Sequence, residues 1–287
     1  MAKKTALVLG VIGGVGAIVA KTLIKDGWSV IGTVRAADQI AEAKAEVPGL
    51  QHVVAVDMSN ADNVEPALAT VLKPDMTLNA VVNAAATCPF GPLETTPVSE
   101  LRRVLEINAA GPVGVYRACI AHLRRSKGHL VLVTSIAGRV AFPFIGHYSA
   151  SKFAVEALAD AMRRESREWG VKVVVIEPGG MYSRMVDLQL KQVVERKAAL
   201  SAEERARYGH YYDAHEEGVS GRSGGLMPPD VTAEVIIKVL NTENPETRYT
   251  AGEAAARICP LPRTMTDREL DDMTTTGVPV DQGRASA

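Results

Sequence analysis

The 287-residue sequence has few cysteines and no excess of either charge. Its three cysteines, Cys88, Cys119 and Cys259, are an odd number without metal-type spacing, which argues against a disulfide framework and favours free thiols in a reducing cytoplasm. Lysine plus arginine number 32 and aspartate plus glutamate number 33, so the net charge is −1. This balance argues against a partner such as nucleic acid or an anionic membrane, and the expected partner is a small molecule.

A long apolar run and a secretory signal are also missing. No stretch of about 18 or more apolar residues occurs, so we expect no transmembrane segment. The first residues, MAKKTALVLG, begin with positive charge, but glycines interrupt the apolar run too early for a signal peptide. With 47% hydrophobic and 23% charged residues, the chain can bury a full core. These features indicate a cytoplasmic protein with one large domain.

Short runs rich in β-branched residues alternate with longer helical patterns along most of the sequence. The runs predict strands at 5–10, 29–34, 52–56, 78–84, 129–134, 171–177 and 248–252. Helical periodicity predicts helices at 14–26, 61–72, 97–124, 149–169 and 231–240. Strands that are apolar on both faces and alternate with helices predict a parallel sheet covered on both sides. The predicted fold is therefore a doubly wound, Rossmann-type α/β fold in three layers.

The alternation stops between residues 183 and 228. This stretch is polar and amphipathic, and the glycine- and proline-rich sequence SGRSGGLMPPD follows it. We interpret 183–228 as a substrate lid inserted into a single catalytic domain, residues 1–270. Residues 271–287 lack periodicity and are predicted to form a loose tail.

A glycine-rich sequence, GVIGGVG, follows the first predicted strand and opens the first helix. Gly10, Gly14 and Gly16, with Ile12 and Val15 between them, would let the backbone approach a pyrophosphate, which the helix N-terminus also attracts. Such a motif alone is weak evidence for a dinucleotide site, and a structural tight turn is the alternative. Its position between a strand and a helix favours a dinucleotide.

The second predicted strand ends at Val34 and Arg35, about 20 residues beyond the glycines. An acid here would favour NAD, whereas a nearby arginine accommodates the 2′-phosphate of NADP. The acid is missing, so NADP(H) is the preferred cofactor and NAD(H) stays an alternative, with Asp38 close by and a solvated surface role for Arg35 also open. Asp57, next to Met58, could accept from the adenine amino group or cap the following helix.

Tyr148 and Lys152 stand four residues apart at the start of an apolar-periodic helix, HYSASKFAVEAL. One helical turn separates them, so both side chains would lie on the same helix face. Ser135 ends the fifth predicted strand, at the edge of the sheet where open α/β proteins bind ligands, and would face the same cleft. A surface pair and a strand-end cap are the simpler explanations of these residues.

In combination, these motifs resemble the short-chain dehydrogenase/reductase family. The resemblance runs from residue 5 to about 252. Besides the glycine-rich turn, Ser135 and YSASK, it rests on Asn83 in VVNAAA, Asn108 in LEINAAG and PGGMYS at 178–183. The sequence departs from the family pattern at Leu9, where threonine is usual, at Ile12 and Gly13, where small polar residues are usual, and at Ala84 and Ala86, where asparagine and glycine are common. The details of phosphate binding are the part most affected.

The resemblance implies four catalytic roles. Tyr148 would protonate the substrate oxygen, Lys152 would also bind the nicotinamide ribose, Ser135 would hydrogen-bond the substrate oxygen, and Asn108 would hold a water path. A simpler view of Asn108 is a polar residue inside a helix. Lowering a tyrosine pKa from about 10 towards 7 needs about 4 kcal/mol, and an ammonium about 4 Å away supplies about that at an effective dielectric near 20. Lys152, helped by the positive nicotinamide ring in the oxidised complex, is therefore expected to hold the Tyr148 phenol near ionisation.

The resemblance also implies further cofactor contacts and an oligomer. Besides Tyr148 and Lys152, the cofactor residues would be Asn83, Ala84, Pro178, Gly179, Met181 and Ser183. The family commonly pairs helices that correspond to 97–124 and 149–169, so a homodimer or homotetramer is expected.

Apolar residues near the expected cleft predict a lipophilic substrate. They are Phe142, Phe144, Tyr182 and Met185, with Pro143, Phe90 and Met227 as further candidates. The long insertion and RYTAG at 248–252 resemble, more loosely, the hydroxysteroid and retinol dehydrogenase branch of the family. A steroid-, retinoid- or aryl-ketone-like substrate is expected. The alternatives are an NAD-dependent alcohol dehydrogenase of the same family and a catalytically silent NADPH-sensing regulatory protein.

The sequence HYYDAHEE suggests a metal site, with His210, Asp213, His215 and Glu216 close together. Two histidines five residues apart do not share a helix face, and the segment belongs to the expected lid. No metal is therefore expected.

Overall fold

Seven strands form one parallel sheet at the centre of the protein, for which a computed structural model describes residues 3–219 and 226–274. The strands are β1 (Thr5–Leu9), β2 (Ser29–Val34), β3 (His52–Ala55), β4 (Ala80–Asn83), β5 (His129–Val133), β6 (Lys172–Pro178) and β7 (Arg248–Ala251). Their spatial order is β3-β2-β1-β4-β5-β6-β7, and each neighbouring pair is parallel. The strand order reverses between β1 and β4, and in such sheets this point opens a ligand crevice at the carboxyl edge.

The central strands are apolar on both faces. Along β1, Ala6 and Val8 pack into one core and Leu7 and Leu9 into the other, because successive side chains point to opposite sides of a strand. All four side chains are completely buried. Two apolar faces require a helix layer on each side of the sheet.

The described residues form eleven α-helices. They are α1 (Val15–Lys25), α2 (Ile40–Glu46), α3 (Val64–Ala69), α4 (Val98–Leu105), α5 (Gly111–Ser126), α6 (Gly146–Ser166), α7 (Arg184–Ala199), α8 (Ala202–Val219), α9 (Pro229–Leu240), α10 (Glu253–Ile258) and α11 (Asp267–Thr274). Helices α1, α2 and α9 cover one face of the sheet, and α3, α5 and α6 cover the other. The predicted doubly wound, three-layer fold is confirmed.

Several helical features differ from the sequence predictions, among them α10, which was not predicted. Helix α2 was not predicted, because its short polar sequence carries a single buried residue, Ala43. The helix predicted at 97–124 is divided by a π-helical turn at Glu106–Ala110. The tail predicted as loose from residue 271 is helical as far as Thr274. Thr266 and Glu269 cap the start of α11 through reciprocal hydrogen bonds, and Leu270 packs against a buried apolar cluster. Residues 275–287 lie outside the described part.

Helices α7 and α8 pack against each other within the segment predicted as the lid. Residues 220–225 of that segment lie outside the described part. Cys88, Cys119 and Cys259 are all free and buried. Within the described residues, every helix is too short or too polar to cross a membrane.

Candidate active site

A large cavity opens where the carboxyl ends of the central strands meet α7 and α8. Its volume is about 1820 Å³. Pockets for a drug-sized ligand are typically about 300–1,000 Å³, so this cavity has room for a dinucleotide beside a second molecule.

The glycine-rich turn forms one end of the cavity. Gly10 and Gly14 have φ angles of 79° and 76°, which favour glycine. A Cβ atom on Gly16 would lie 2.1 Å from the carbonyl oxygen of Gly10, so no side chain fits there. The turn brings the N-terminus of α1 to the cavity wall, and its geometry fits the pyrophosphate of a dinucleotide.

Most of the residues predicted for the cofactor line this cavity. They are Gly10, Ile12, Val15, Gly16, Arg35, Asp57, Met58, Ala84, Pro178, Gly179, Met181 and Ser183, with Tyr148 and Lys152. Gly14 lines a smaller neighbouring depression instead. Asn83 lies behind the wall, where its side-chain oxygen accepts from the N–H of Ala85 at 3.2 Å and thereby shapes the loop after β4. Asp57 accepts from the N–H of Ser59 at 2.9 Å, so it stabilises its own turn and not the next helix.

Ser135, Tyr148 and Lys152 meet on one wall of the cavity. The Ser135 hydroxyl accepts from the N–H of Ala137 at 3.1 Å, as a capping residue would, and also hydrogen-bonds the Tyr148 hydroxyl. The Lys152 ammonium donates to the carbonyl oxygen of Val133 at 2.9 Å and lies 5.4 Å from the centre of the Tyr148 ring. The three side chains that the sequence predicted to face one cleft do line the same cavity.

Burial dominates the electrostatics of Tyr148 and Lys152. Burial raises the pKa of Tyr148, the Cys88 thiol adds to the rise, and the hydrogen bond with Ser135 opposes it. Burial also lowers the pKa of Lys152 to about 8, against the opposing effects of Cys88 and Glu156. In the protein alone, desolvation therefore dominates and Tyr148 stays neutral, and the predicted lowering towards 7 is a prediction for the complex with the oxidised cofactor.

Asn108 occupies the π-helical turn between α4 and α5 and does not line the cavity. Its side-chain oxygen accepts from the N–H of Thr87 at 2.9 Å, and its amide donates to the Thr87 carbonyl at 2.8 Å and to Ser151 at 2.9 Å. Ser151 lies in α6, between Tyr148 and Lys152 in sequence. Asn108 therefore connects the loop after β4 to the helix that carries the proton donor.

Two of the four predicted substrate residues lie elsewhere. Phe142 and Met185 line the cavity, as do Phe90 and Pro143. Phe144 has a φ of 64°, and its ring packs on Phe90 at 5.6 Å and on Tyr211 at 4.4 Å, away from the cavity.

Tyr182 is the second residue that the structure places outside the cavity. It is 47% exposed and lines the neighbouring depression. Residues 181 and 182 run beside Met227 as extended chain, with the N–H of Tyr182 donating to the Met227 carbonyl at 3.0 Å. Alternate side chains of extended backbone point to opposite sides, so Met181 faces the cavity and Tyr182 does not.

The polar contacts that α7 and α8 make at the cavity were not predicted from the sequence. Gln189 donates through Nε2 to the carbonyl oxygen of Cys88 at 2.8 Å, which leaves its Oε1 to accept from Nε2 of His215 at 3.0 Å. His215 therefore carries its proton on Nε2. Burial lowers the pKa of His215 to about 4, so the ring is neutral near pH 7. Both residues line the cavity. The local sequence does not distinguish them from their solvated neighbours, because only the helical register of α7 and α8 turns these two side chains towards the cavity.

The other residues of the metal-like sequence have different contacts. Asp213 and Glu216 both pair with Lys197, and His210 packs on Tyr211. Across residues 3–219 and 226–274, no three side chains of the metal-ligating types form a cluster.

Comparison with known proteins places this geometry among dehydrogenases. Residues 4–193 match the profile of the short chain dehydrogenase family. A 3-amino-tetrahydro-pyrrolizinone reductase of Xenorhabdus hominickii is 28% identical over 278 residues, which cover 95% of each chain. A 17-beta-hydroxysteroid dehydrogenase type 6 of Rattus norvegicus is 28% identical over 87% of this chain and 80% of that protein, which confirms the looser resemblance to the hydroxysteroid branch. A short-chain dehydrogenase structure from Streptomyces avermitilis has the same fold, with a TM-score of 0.75 at 23% identity over 96% of this chain and 97% of that one.

Proposed function

This chain belongs to the short-chain dehydrogenase family and is an NAD(P)-dependent oxidoreductase, and we propose that it transfers a hydride between NADP(H) and a lipophilic ketone or secondary alcohol. The observation that carries the proposal is the position of Ser135, Tyr148 and Lys152. They lie on one wall of a cavity that has the glycine-rich turn at one end and apolar residues, among them Phe142 and Met185, at the other. A proton donor between a dinucleotide and an apolar substrate is what this reaction needs.

The residues of the site can divide the chemistry of reduction among them. A bound nicotinamide cofactor would supply the hydride. Ser135 hydrogen-bonds the substrate oxygen, and Tyr148 gives that oxygen its proton as negative charge develops. Because burial keeps Tyr148 neutral, the phenol holds the proton that a reduction consumes. The Lys152 ammonium then stabilises the phenolate that remains.

Asn108 acts in this scheme as a positioning residue. Its three hydrogen bonds fix the Thr87 backbone and Ser151, and Ser151 in turn donates to the Tyr148 carbonyl at 2.7 Å. The first turn of α6, which carries Tyr148 and Lys152, is thereby held against the loop after β4. Asn108 is buried and does not line the cavity, so it acts through these contacts, and the water path remains a prediction.

The substrate class follows from the apolar end of the cavity. Met185 and Leu188 from α7 and Ile258 from α10 join Phe142 there. Residues 183–228 act as a lid over this end, within one catalytic domain. A steroid-, retinoid- or aryl-ketone-like molecule fits such a lining, and the three buried free thiols support a reducing compartment such as the cytoplasm.

A substrate screen tests the proposal. Steroid, retinoid and aryl ketones are offered with NADPH and with NADH, and the loss of reduced-nicotinamide absorbance is followed. We expect turnover of apolar ketones that is faster with NADPH. If NADPH binds while every ketone and the corresponding alcohols remain unchanged, a regulatory protein that senses the cofactor is the better description.

Arg35 carries the choice of NADP(H) over NAD(H). Its guanidinium would form charge-assisted hydrogen bonds with the 2′-phosphate, each worth roughly 1.5–3 kcal/mol. Arg35→Ala should therefore weaken NADPH binding by about tenfold to a hundredfold and leave NADH binding nearly unchanged. Dissociation constants measured by fluorescence titration give the answer. Equal losses for both cofactors would mean that Arg35 is only a surface charge.

A further inference from the structure

The carboxylate of Glu46 lies on the glycine-rich turn. Both of its oxygens accept from the N–H of Gly13, at 3.0 and 3.1 Å. Glu46 is the last residue of α2 and is half-buried. The contact spans 33 residues of sequence and fixes a negative charge on the turn.

The turn and Arg35 belong to the same end of the cavity. The N–H of Val11 donates to the carbonyl oxygen of Thr33 at 3.2 Å, which holds the turn against the end of β2. Gly13 and Arg35 both line the cavity, and Arg35 is exposed. A phosphate that approaches Arg35 therefore also approaches the turn on which the Glu46 carboxylate is held.

We propose that Glu46 opposes the 2′-phosphate of the cofactor and so sets how strongly NADP(H) is preferred over NAD(H). The inference rests on the proposed function, because it takes the cofactor adenosine to lie at the Arg35 end. Arg35 attracts the phosphate and Glu46 repels it, and the preference is the balance of the two charges. NAD(H) lacks the 2′-phosphate, and the effect of Glu46 on the pyrophosphate that both cofactors share cancels from the ratio of their affinities.

The substitution Glu46→Gln tests this inference without a need for turnover. Glutamine keeps an amide oxygen that can accept from Gly13, so the turn retains its support while the charge is lost. The probes are 2′,5′-ADP and 5′-AMP, which differ only in the 2′-phosphate, and calorimetry measures their dissociation constants. We expect 2′,5′-ADP to gain about threefold to thirtyfold in affinity relative to 5′-AMP. The gain should shrink as salt is added, because half-exposed charges are screened.

Glu203→Gln is the matched control. The substitution removes the same charge from the exposed surface of α8, where the Glu203 carboxylate pairs with Arg207. We expect the ratio of the two affinities to stay within about twofold of the wild-type ratio.

Three outcomes would overturn the inference. They are an unchanged ratio in Glu46→Gln, an equal shift of both probes, and the same shift in Glu203→Gln. In each case both probes still bind the wild type, so the proposed use of NADP(H) stands. If the wild type binds neither probe, the cofactor assignment fails and the inference fails with it.

Discussion

Lys152 is a buried amine whose surroundings limit its charge. Its ammonium donates to the Val133 carbonyl at 2.9 Å, and burial lowers its pKa from 10.5 to about 8. Because burial disfavours the charged form of a lysine, the ammonium is lost as the pH rises through about 8. The charged state that the proposed mechanism uses is therefore complete only below that pH.

The lowered pKa of Lys152 predicts how cofactor binding depends on pH. The affinity of the free protein for NADPH should fall by about tenfold as the pH rises from about 7 to about 9.5, because a charge-assisted hydrogen bond to the nicotinamide ribose is lost. Fluorescence titration across this range measures it. Lys152→Ala should bind weakly at every pH and lack this inflection, and it should also turn over slowly. A wild-type affinity that does not change with pH, or a variant with the same inflection, would contradict the assignment.

At the level of single residues, motif spacing was sufficient for one part of the site. Ser135, Tyr148 and Lys152 were predictable, because strand-end position and a one-turn spacing fix where their side chains lie. Glu46, Gln189 and His215 were not, because their contacts join segments that are far apart in sequence. The rise that burial causes in the pKa of Tyr148 was not predicted, since the sequence does not reveal how completely the phenol is desolvated.

At the level of elements, α7 is anchored to the body of the protein by Arg196. Its guanidinium donates to the Phe90 carbonyl at 2.7 Å and to both oxygens of Glu100 at 2.6 Å. The pair is largely buried, with 27% and 16% of the side chains exposed. Gln189, about two helical turns earlier, ties the same helix to the Cys88 backbone. These contacts hold α7 at the apolar end of the cavity.

Loosening this anchor should affect the substrate more than the cofactor. Arg196→Gln should raise KM for an apolar ketone about tenfold and change the dissociation constant of NADPH less than about threefold, because the lid excludes water from the substrate end. The control is Arg207→Gln on α8, whose pairs with Glu94 and Glu203 are exposed and worth little. Steady-state kinetics with calorimetry separates the two effects. Equal losses for substrate and cofactor in Arg196→Gln would point to a scaffold role for α7.

Sequence periodicity was insufficient to reveal the interruption between α4 and α5. The segment 97–124 reads as one helix, yet a π-helical turn at Glu106–Ala110 separates α4 from α5. A wider turn leaves the apolar spacing on either side nearly unchanged, so the pattern gives no sign of it. The tertiary hydrogen bonds of Asn108 accompany the turn, and these depend on the loop that holds Thr87.

At the level of the whole molecule, the sheet was predictable because each strand has two apolar faces. The seven strands fall within two residues of the predicted runs at each end, and their parallel order follows from the alternation with helices. The lid and the tail were harder, because polar helices such as α8 and α11 derive their position from contacts with distant segments. Capping by Thr266 and Glu269 is a local signal that could have revealed α11.

Assembly is a prediction for the whole molecule. If α6 pairs with its copy, as the family resemblance implies, then Phe153 on its surface, 44% exposed, would be covered in the oligomer. Phe153→Glu should shift a dimer or tetramer to monomers, because it places a charge in an apolar contact. Val194→Glu on α7, at a residue 52% exposed, should leave the mass unchanged. Light scattering at micromolar concentration measures both, and a monomeric wild type would reject the prediction.

The most direct test of the account is the loss of one hydroxyl group. Tyr148→Phe keeps the ring that packs in the cavity wall and removes only the proton donor. With an apolar ketone and NADPH, we expect turnover to fall by about 10²–10⁴-fold, while the dissociation constant of NADPH stays within about twofold of the wild-type value. Turnover that remains within about tenfold of the wild type, with NADPH still bound, would show that the proton comes from elsewhere and would contradict the proposed mechanism.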